Sequence, residues 1–328
     1  MKQGNGPCHC FKPDCKDIRM PKSYDQREQG QRGGGTPDLP GPALRVLPLR
    51  FKLESGSLSL NFFSGPLWRS GFGLALKIHF PGIFALLFAD QARLGRLYAL
   101  QPPSRAVHPG DVFDLGLSLF GPACDHAMAC TQAIAQLGDM GLGSDRGKYA
   151  LMETCVAGSG TTPFFIAKSG LVAEPTPIPP QTWLEHSAGN IRELHMDLLT
   201  PLLIKKDNGL LRGPFEFSLL VRRLHGRLAQ VCEAAGESSP LLREIAHKQN
   251  ELAASVRLHH FELSHAKVKR QSARSQETMI IEGLTGTLCF QGNLAPFTGL
   301  LALGTVLSLG GKTAFGFGGF GICVHQNG

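Results

Sequence analysis

Hydrophobic positions change their spacing along the chain, and these changes predict alternating strands and helices from residue 43 onward. After Gly65-Pro66, the apolar residues of GPLWRSGFGLALKIH recur at helical spacing. Proline suits the first turn of a helix, because its missing N–H would have no partner there. The elements predicted in this half are a strand at 44–53, a helix from 65, a strand at 111–120, a helix at 126–137 and a strand at 146–156. Two strand–helix halves therefore fit between residues 43 and 157.

The second half of the chain repeats this order with additional helix. Its predicted elements are a strand at 191–204, helices at 214–235 and 241–254, a strand at 278–290, a helix at 296–309 and a short strand at 322–325. We divide the chain into a flexible polar tail (1–42), a first domain (43–157), a linker or crossover rich in Gly, Ser, Thr and Pro (158–190) and a second domain (191–328). The second domain carries a helical insertion at about 214–275 and a Gly-rich loop at 310–321.

The composition narrows the class of protein. With 40 Gly and 22 Pro among 328 residues, the chain is rich in loops but stays below the ~25–30% that marks low complexity. Lys and Arg outnumber Asp and Glu by 33 to 26, and the net charge of +7 favours a polyanion, nucleic acid before a membrane surface. No apolar run predicts a secretory signal or a membrane span, so we expect a cytoplasmic protein with most thiols free.

Three cysteines lie close together in the predicted tail, at Cys8, Cys10 and Cys15, with His9 between the first two. The spacing C-x-C-x4-C is poor for zinc, which is usually held by C-x2-C pairs, and no second pair follows. We assign no metal and no cofactor to the protein, and metal binding by these three cysteines stays open.

The sharpest local feature is the Gly-rich loop GGKTAFGFGGFG, at 310–321. Amides of Gly316 and Gly318 are candidates to cradle a phosphate, and Lys312 adds a positive charge. Phe317 is a candidate to stack on bases or to fill the core. The loop is not a nucleotide-binding P-loop, because GKT follows a helix instead of preceding one. The alternative is a tight glycine turn before an edge strand.

Two basic patches are candidates to follow a phosphate backbone. The first is a run that also contains His259, His260 and His265, with the candidate residues Arg257, Lys267, Lys269, Arg270 and Arg274. The second lies on the predicted 214–235 helix, at Arg222, Arg223 and Arg227. Arg223 and Arg227 share a face at i, i+4, where like charges repel and a polyanion would relieve the repulsion. The alternative for such runs is a solvated face.

Several segments resemble one known family. The C-terminal stretch resembles the end of the CRISPR repeat-RNA-processing endoribonucleases of the repeat-associated mysterious protein (RAMP) superfamily, in the sequence MIIEGLTGTLCFQGNLAPFTGLLALGTVLSLGGKTAFGFGGFGI. Successive segments of the first half are similar as well: GPLWRSGFGLAL, PGDVFDLGLSLFGPA and IAQLGDMGLGSDRGKYAL. The resemblance spans about 43–325. It implies an α+β fold of two tandem ferredoxin-like βαββαβ domains, similar to RNA-recognition domains.

The resemblance also implies an activity: metal-independent cleavage of a precursor repeat RNA, leaving a 2′,3′-cyclic phosphate and a 5′-hydroxyl. His79 is the first choice for the acid or base, because it ends the helix begun at Gly65, where several members place their histidine. Lys77 and Arg69 lie on the same segment and would hold the scissile phosphate. A helix-capping or core role is the alternative for His79. The other catalytic candidates are His265 and His259, then Tyr98, and finally an arginine-based site with Arg222 and Arg223.

One departure from the family pattern stands out, since the segment after the first helix, HFPGIFALLFADQARLG, lacks the cysteines that related members often carry. Two other functions therefore remain as alternatives. One is a non-catalytic RAMP subunit that binds guide RNA in a CRISPR effector complex, and the other is a basic scaffold protein. The expected partners are precursor repeat RNA, mature guide RNA and other effector subunits, with no membrane.

Overall fold

The two halves of the chain fold as two α+β units, each built on an antiparallel sheet. The structure is a computed structural model, and it describes residues 16–17, 44–88, 96–157, 162–184, 190–206, 209–237, 240–271 and 278–326. Among these residues, none of the helices combines the length and the apolar character needed to cross a membrane.

The first unit follows a two-residue strand, β1 (Lys16–Asp17). Its elements are β2 (Val46–Ser55), α1 (Gly65–His79), α2 (Pro81–Phe88), β3 (Tyr98–Gln101), β4 (Val112–Phe120), α3 (Ala127–Met140), β5 (Tyr149–Val156), β6 (Pro163–Ile166) and β7 (Gly170–Leu171). The sheet order is β3-β4-β2-β5-β6-β7. Alternation along β2 buries Leu49, Phe51 and Leu53 and exposes the residues between them, so that one face of the strand meets α1 and α3.

The second unit follows the short helix α4 (Pro180–Leu184). Its elements are β8 (Ile191–Leu202), β9 (Lys205–Lys206), β10 (Gly209–Leu210), α5 (Phe217–Ala234), α6 (Pro240–Ala253), β11 (Arg257–Gln271), β12 (Thr278–Gln291), α7 (Thr298–Leu307) and β13 (Phe320–Gln326). The sheet order is β1-β13-β8-β12-β11. Without α6, which is inserted, this is the βαββαβ order with the first and third strands at the centre. The predicted tandem ferredoxin-like fold is confirmed.

The helical insertion is shorter than predicted. It ends at Ala253, whereas we expected it to continue to about residue 275, and β11 occupies most of the remainder. This strand lies at the edge of the sheet, and most of its residues from 257 to 268 are exposed. It therefore lacks the alternation of apolar and polar residues by which a half-buried strand is recognised.

Several shorter elements were also missed. The four-residue β3 is too short to show a period, and β6, β7 and α4 lie within the segment that we predicted to be a linker. The predicted tail contains β1, which pairs with β13. Cys8, Cys10, Cys15 and the other tail residues lie outside the described residues.

The two units share an apolar layer. Ala99 and Phe120 of the first unit pack there with Trp183 of α4 and with Leu228 and Leu303 of the second unit. The side chain of Gln101 also crosses between the units, because its Nε2 donates to the carbonyl of Thr305 at 2.8 Å. This layer fixes the position of the C-terminal loop relative to α1.

Candidate active site and nucleic-acid interface

The C-terminal end of α1 is cationic and exposed. Trp68, Phe72 and Leu76 recur every four residues and are buried in the core of the first unit, which turns the last-turn residues Lys77 and His79 toward solvent. Positive side chains are favourable there because the helix dipole is negative at that end. The imidazole of His79 makes no hydrogen bond or ion pair within the described part of the chain. His79 is therefore neither a core residue nor a hydrogen-bonded cap.

A groove with a volume of about 980 Å³ runs beside α1. Its walls are α1, α2, the end of α3 and the turn that follows α3. Arg69, Lys77 and Arg146 line it, and the described lining residues include no Asp or Glu. We call this the cationic groove. Its one-sided charge suits an anionic ligand, since an apolar wall strengthens the field of the cations. His79 is not among the lining residues and lies at the end of the same helix.

The turn after α3 fixes the backbone of Arg146. Gly141 has a φ of 83°, and a Cβ at this position would lie 2.4 Å from the carbonyl oxygen of Arg146. Arg146 itself has a φ of 48°, which is uncommon for a residue with a side chain. Arg146 is not among the candidate residues predicted from the sequence. The segment GLGSDRG could have indicated it, because glycines on both sides of the arginine are typical of a tight turn.

The Phe315 ring of the Gly-rich loop lies beside Arg69 of α1. The guanidinium carbon of Arg69 lies 4.2 Å from the centre of the Phe315 ring and 5.0 Å from that of Phe88. The ammonium of Lys312 lies 5.7 Å from the same Phe315 ring. These are cation–π distances, and they place Lys312 and Arg69 on one aromatic platform. The positive charge of the cationic groove therefore extends to the loop.

Within the loop, two glycines adopt positive φ values, and their amides are used in hydrogen bonds inside the protein. Gly316 and Gly318 have φ values of 81° and 73°. Their amides donate to the carbonyls of Thr313 and Pro201, at 2.9 Å each. Because both amides are used inside the protein, this geometry favours the tight-turn alternative over a phosphate cradle. Phe317 is fully buried and meets Phe63 edge-on at 4.8 Å, so of its two predicted roles it fills the core and is not available to stack on bases.

The three arginines of α5 have different surroundings. Arg222 and Arg223 are exposed, and Arg223 donates to the carbonyl of Lys205. Arg227 is only 5% exposed, donates from Nε to the carbonyl of Leu307 at 3.3 Å, and lies 5.8 Å from the ring of Phe120. Burial lowers the pKa of Arg227 to about 10. The predicted RNA contact by Arg227 is therefore corrected, because its side chain belongs to the layer between the units.

The predicted basic run forms one strand of a long hairpin, β11–β12. From Leu284 to Gln291, β12 also pairs with β8. From Thr278 to Gly283 it pairs only with β11, so the end of the hairpin nearest its turn is a two-stranded ribbon. Arg257 is exposed, as are His259 and His265, and Lys267 lies 3.7 Å from Glu282. Lys269 and Arg270 belong to β11, but their side chains, and all of Arg274, lie outside the described residues. Their contacts with RNA stay a prediction.

The catalytic candidate Tyr98 is excluded by its surroundings. Its side chain is fully buried. Burial raises the pKa of the hydroxyl to about 12, although the nearby charge of Arg69 acts in the opposite direction. A tyrosine in this state neither reaches an RNA nor gives up its proton at neutral pH.

Comparisons with known proteins agree with the sequence resemblance. Residues 196–320 match the family described as CRISPR-associated endoribonuclease Cas6, and residues 88–176 match a model described as an N-terminal domain. None of the curated proteins matches the chain.

Solved Cas6 structures are similar over most of the chain. A Cas6 of Thermus thermophilus is 15% identical with a TM-score of 0.55, over 86% of this chain and 100% of that one. A Cas6 product complex is 16% identical with a TM-score of 0.55, over 84% and 98%. A partial Cas6-RT-Cas1–Cas2 complex is 14% identical with a TM-score of 0.57, over 88% of this chain and 48% of that chain.

At these identities the structures show a shared fold, and the family match covers the second unit from β8 to the start of β13. The resemblance to the CRISPR repeat-RNA-processing endoribonucleases is thus confirmed: the chain has the fold of the Cas6 proteins, and its C-terminal unit matches the CRISPR-associated Cas6 endoribonuclease family.

Proposed function

We propose that this protein matures CRISPR RNA by cutting precursor repeat RNA without a metal ion in the reaction. The fold and the family match support the substrate class. The observation that carries the proposal is the cationic groove, which runs beside the helix that ends in the exposed His79. Such a groove holds a phosphate, and the histidine supplies an imidazole that can accept or donate a proton.

The reaction assigns one task to each residue. His79 takes the proton from the ribose 2′-hydroxyl, whose oxygen then attacks the adjacent phosphorus. A bond forms between O2′ and phosphorus, the bond from phosphorus to O5′ breaks, and O5′ takes up a proton. The products are a 2′,3′-cyclic phosphate and a 5′-hydroxyl. Lys77 and Arg69 stabilise the additional negative charge on the phosphate oxygens as the transition state forms.

The test is cleavage of a labelled repeat RNA by the purified protein in EDTA. We expect a specific product whose upstream fragment resists phosphatase until acid opens the cyclic phosphate, and whose downstream fragment is labelled directly by a polynucleotide kinase. A melting curve in the same buffer controls for loss of folding in EDTA. Cleavage that requires added Mg²⁺, or a 3′-hydroxyl end, contradicts the proposed chemistry.

A second function is favoured by one observation. Within the described residues, His79 has no hydrogen-bonded acid or base beside it, as an activated pair usually would. A non-catalytic RAMP subunit that binds guide RNA would need only the cationic groove. Tight binding of the repeat RNA with no product in the same assay supports this alternative over the first.

Removing a cation from the RNA-binding surface is expected to weaken binding in a salt-dependent way. We predict that Arg146→Ala and Lys312→Ala each lower the affinity for repeat RNA and reduce the slope of log Kd against log salt by about 1. Filter binding at several salt concentrations measures both. The control is Lys168→Ala, an exposed lysine in the β6–β7 turn, which leaves the slope unchanged. Equal slopes in all three variants contradict the placement of RNA in the cationic groove.

The proposed partners follow from the same comparisons. One similar structure is a Cas6 product complex, and another contains Cas6 together with Cas1 and Cas2. We propose that this chain binds precursor repeat RNA and retains or releases the mature guide RNA, and that other CRISPR proteins bind it as subunits of a larger assembly.

A further inference from the structure

A cluster of metal-binding side chains lies on the second sheet, away from the cationic groove residues. It contains Glu193 and His195 of β8 and Cys289 of β12. Nε2 of His195 lies 2.7 Å from Oε1 of Glu193 and 3.7 Å from Sγ of Cys289. One donor atom from each residue lies within 4.8 Å of the other two. Nothing in the proposed RNA chemistry uses these groups.

The strand register explains why the three side chains meet. Glu193 and His195 are two residues apart on one strand, so they point to the same face. Cys289 is the direct partner of His195 on the neighbouring strand. This face is opposite to the hydrophobic core, which takes Leu194 and Met196 from the same strand. Cys289 is nevertheless only 5% exposed, and the side chains of His195 and Glu193 are 28% and 19% exposed, so the cluster is partly shielded from solvent.

We propose that Glu193, His195 and Cys289 bind a zinc ion. Ligand distances of about 2.3 Å for sulfur and about 2.0 Å for nitrogen, at a tetrahedral angle, place the two ligand atoms about 3.5 Å apart. The observed 3.7 Å between Sγ and Nε2 is close to this value. The shorter 2.7 Å between nitrogen and carboxylate is a hydrogen bond, which the ion replaces by taking the place of its proton.

A further side chain orients the carboxylate. Nε2 of Gln291 donates to Oε2 of Glu193 at 3.2 Å, which leaves Oε1 directed at His195. Partners of this kind fix the orientation of a ligand in protein metal sites. The combination of thiolate, imidazole and carboxylate favours zinc over magnesium or calcium, which prefer oxygen ligands alone.

The location indicates a structural role for the ion. It would join β8 to β12 at the centre of the sheet, and three ligands leave one position for a fourth donor. Cys323 of β13 is the partner of His195 on the other side, but it is disulfide-bonded and is not counted among the ligands.

The first test is the metal content of the full chain, purified from zinc-supplemented cells without chelators or added reductant and passed through gel filtration. Mass spectrometry of the metals should find one zinc per chain. Cys289→Ser and His195→Ala should each lower the zinc content at least about fivefold. Cys155→Ser, which replaces a buried free cysteine of the other unit, is the matched control and should retain the zinc. A wild-type protein without zinc overturns the proposal.

A second readout is independent of how well the variants fold. The wild-type protein, stripped of metal and refilled with Co²⁺ alone, should show the charge-transfer absorption of a thiolate–cobalt bond. Circular dichroism identifies which variants are folded, and among those Cys289→Ser should lose the absorption while Cys155→Ser keeps it. Glu193→Gln, the mildest change, should lower the affinity for Co²⁺ at least about tenfold. Folded Cys289→Ser with undiminished absorption overturns the assignment. Because neither readout involves RNA, the outcome is separate from that of the proposed nuclease activity.

Discussion

Cleavage of repeat RNA by His79→Ala is expected to be at least about 100-fold slower than cleavage by the wild-type protein, with an unchanged affinity for the RNA. The rate falls because the 2′-hydroxyl loses the group that accepts its proton. The affinity stays because the exposed imidazole supports no other part of the structure, and because Arg69, Lys77 and Arg146 continue to line the cationic groove. Single-turnover kinetics with excess protein measures the chemical step, and filter binding measures the affinity.

The matched control is His247→Ala. His247 is also an exposed histidine and lies on α6, where it pairs with Glu251 at 3.4 Å. This variant should cleave at the wild-type rate. If His79→Ala also cleaves at that rate, His79 has no part in the chemistry, and His265 and His259 are the next residues to replace.

Substitution of Gly318 by alanine is expected to lower the free energy of unfolding by more than about 3 kcal/mol. Two effects contribute. The φ of 73° is strained for any residue with a side chain, and a Cβ at this position would lie 1.8 Å from the carbonyl oxygen of Leu309. That carbonyl cannot move freely, since the amide of Leu309 donates to the carbonyl of Gly318 at 2.8 Å. Urea denaturation followed by circular dichroism measures the loss.

Gly170 separates the two effects. It has a φ of 75°, and a Cβ there would meet nothing within 4 Å. Gly170→Ala should therefore lose only the backbone term, about 1–2 kcal/mol. The difference between the two variants measures the steric clash at Gly318. Equal losses in both would show that the loop adapts to a side chain, and that its contact with Leu309 is not a constraint on the fold.

The elements that could be predicted from the sequence are those in which hydrophobic residues recur at regular spacing. Strand β2 and helix α1 were placed within a few residues because each buries one face, and burial imposes alternation on a strand and helical spacing on a helix. Strand β11 was missed because an edge strand with exposed basic residues carries no such constraint. The resemblance to a known family, and not the periodicity, indicated how the two halves are arranged.

The candidate site was predicted only in part. Helical spacing shows which residues share a face, but it does not show whether that face is exposed or packs against another element. The i, i+4 spacing of Arg223 and Arg227 predicted one shared helix face, whereas Arg223 is exposed and Arg227 is buried. Only the structure shows that the second unit turns Arg227 into the apolar layer with Phe120. Arg146 could not be selected from its sequence alone, since its position in the cationic groove depends on how the turn packs beside α1.

The aromatic platform under Arg69 comes from Phe315, near the end of the chain, although α1 belongs to the first unit. A nascent chain that has been synthesised only as far as the first unit lacks this support for Arg69. The cationic groove is therefore joined to Phe315 and Lys312 only after the second unit has been synthesised and has folded. We therefore expect the isolated first unit to lack the cation–π contact between Arg69 and the Phe315 ring.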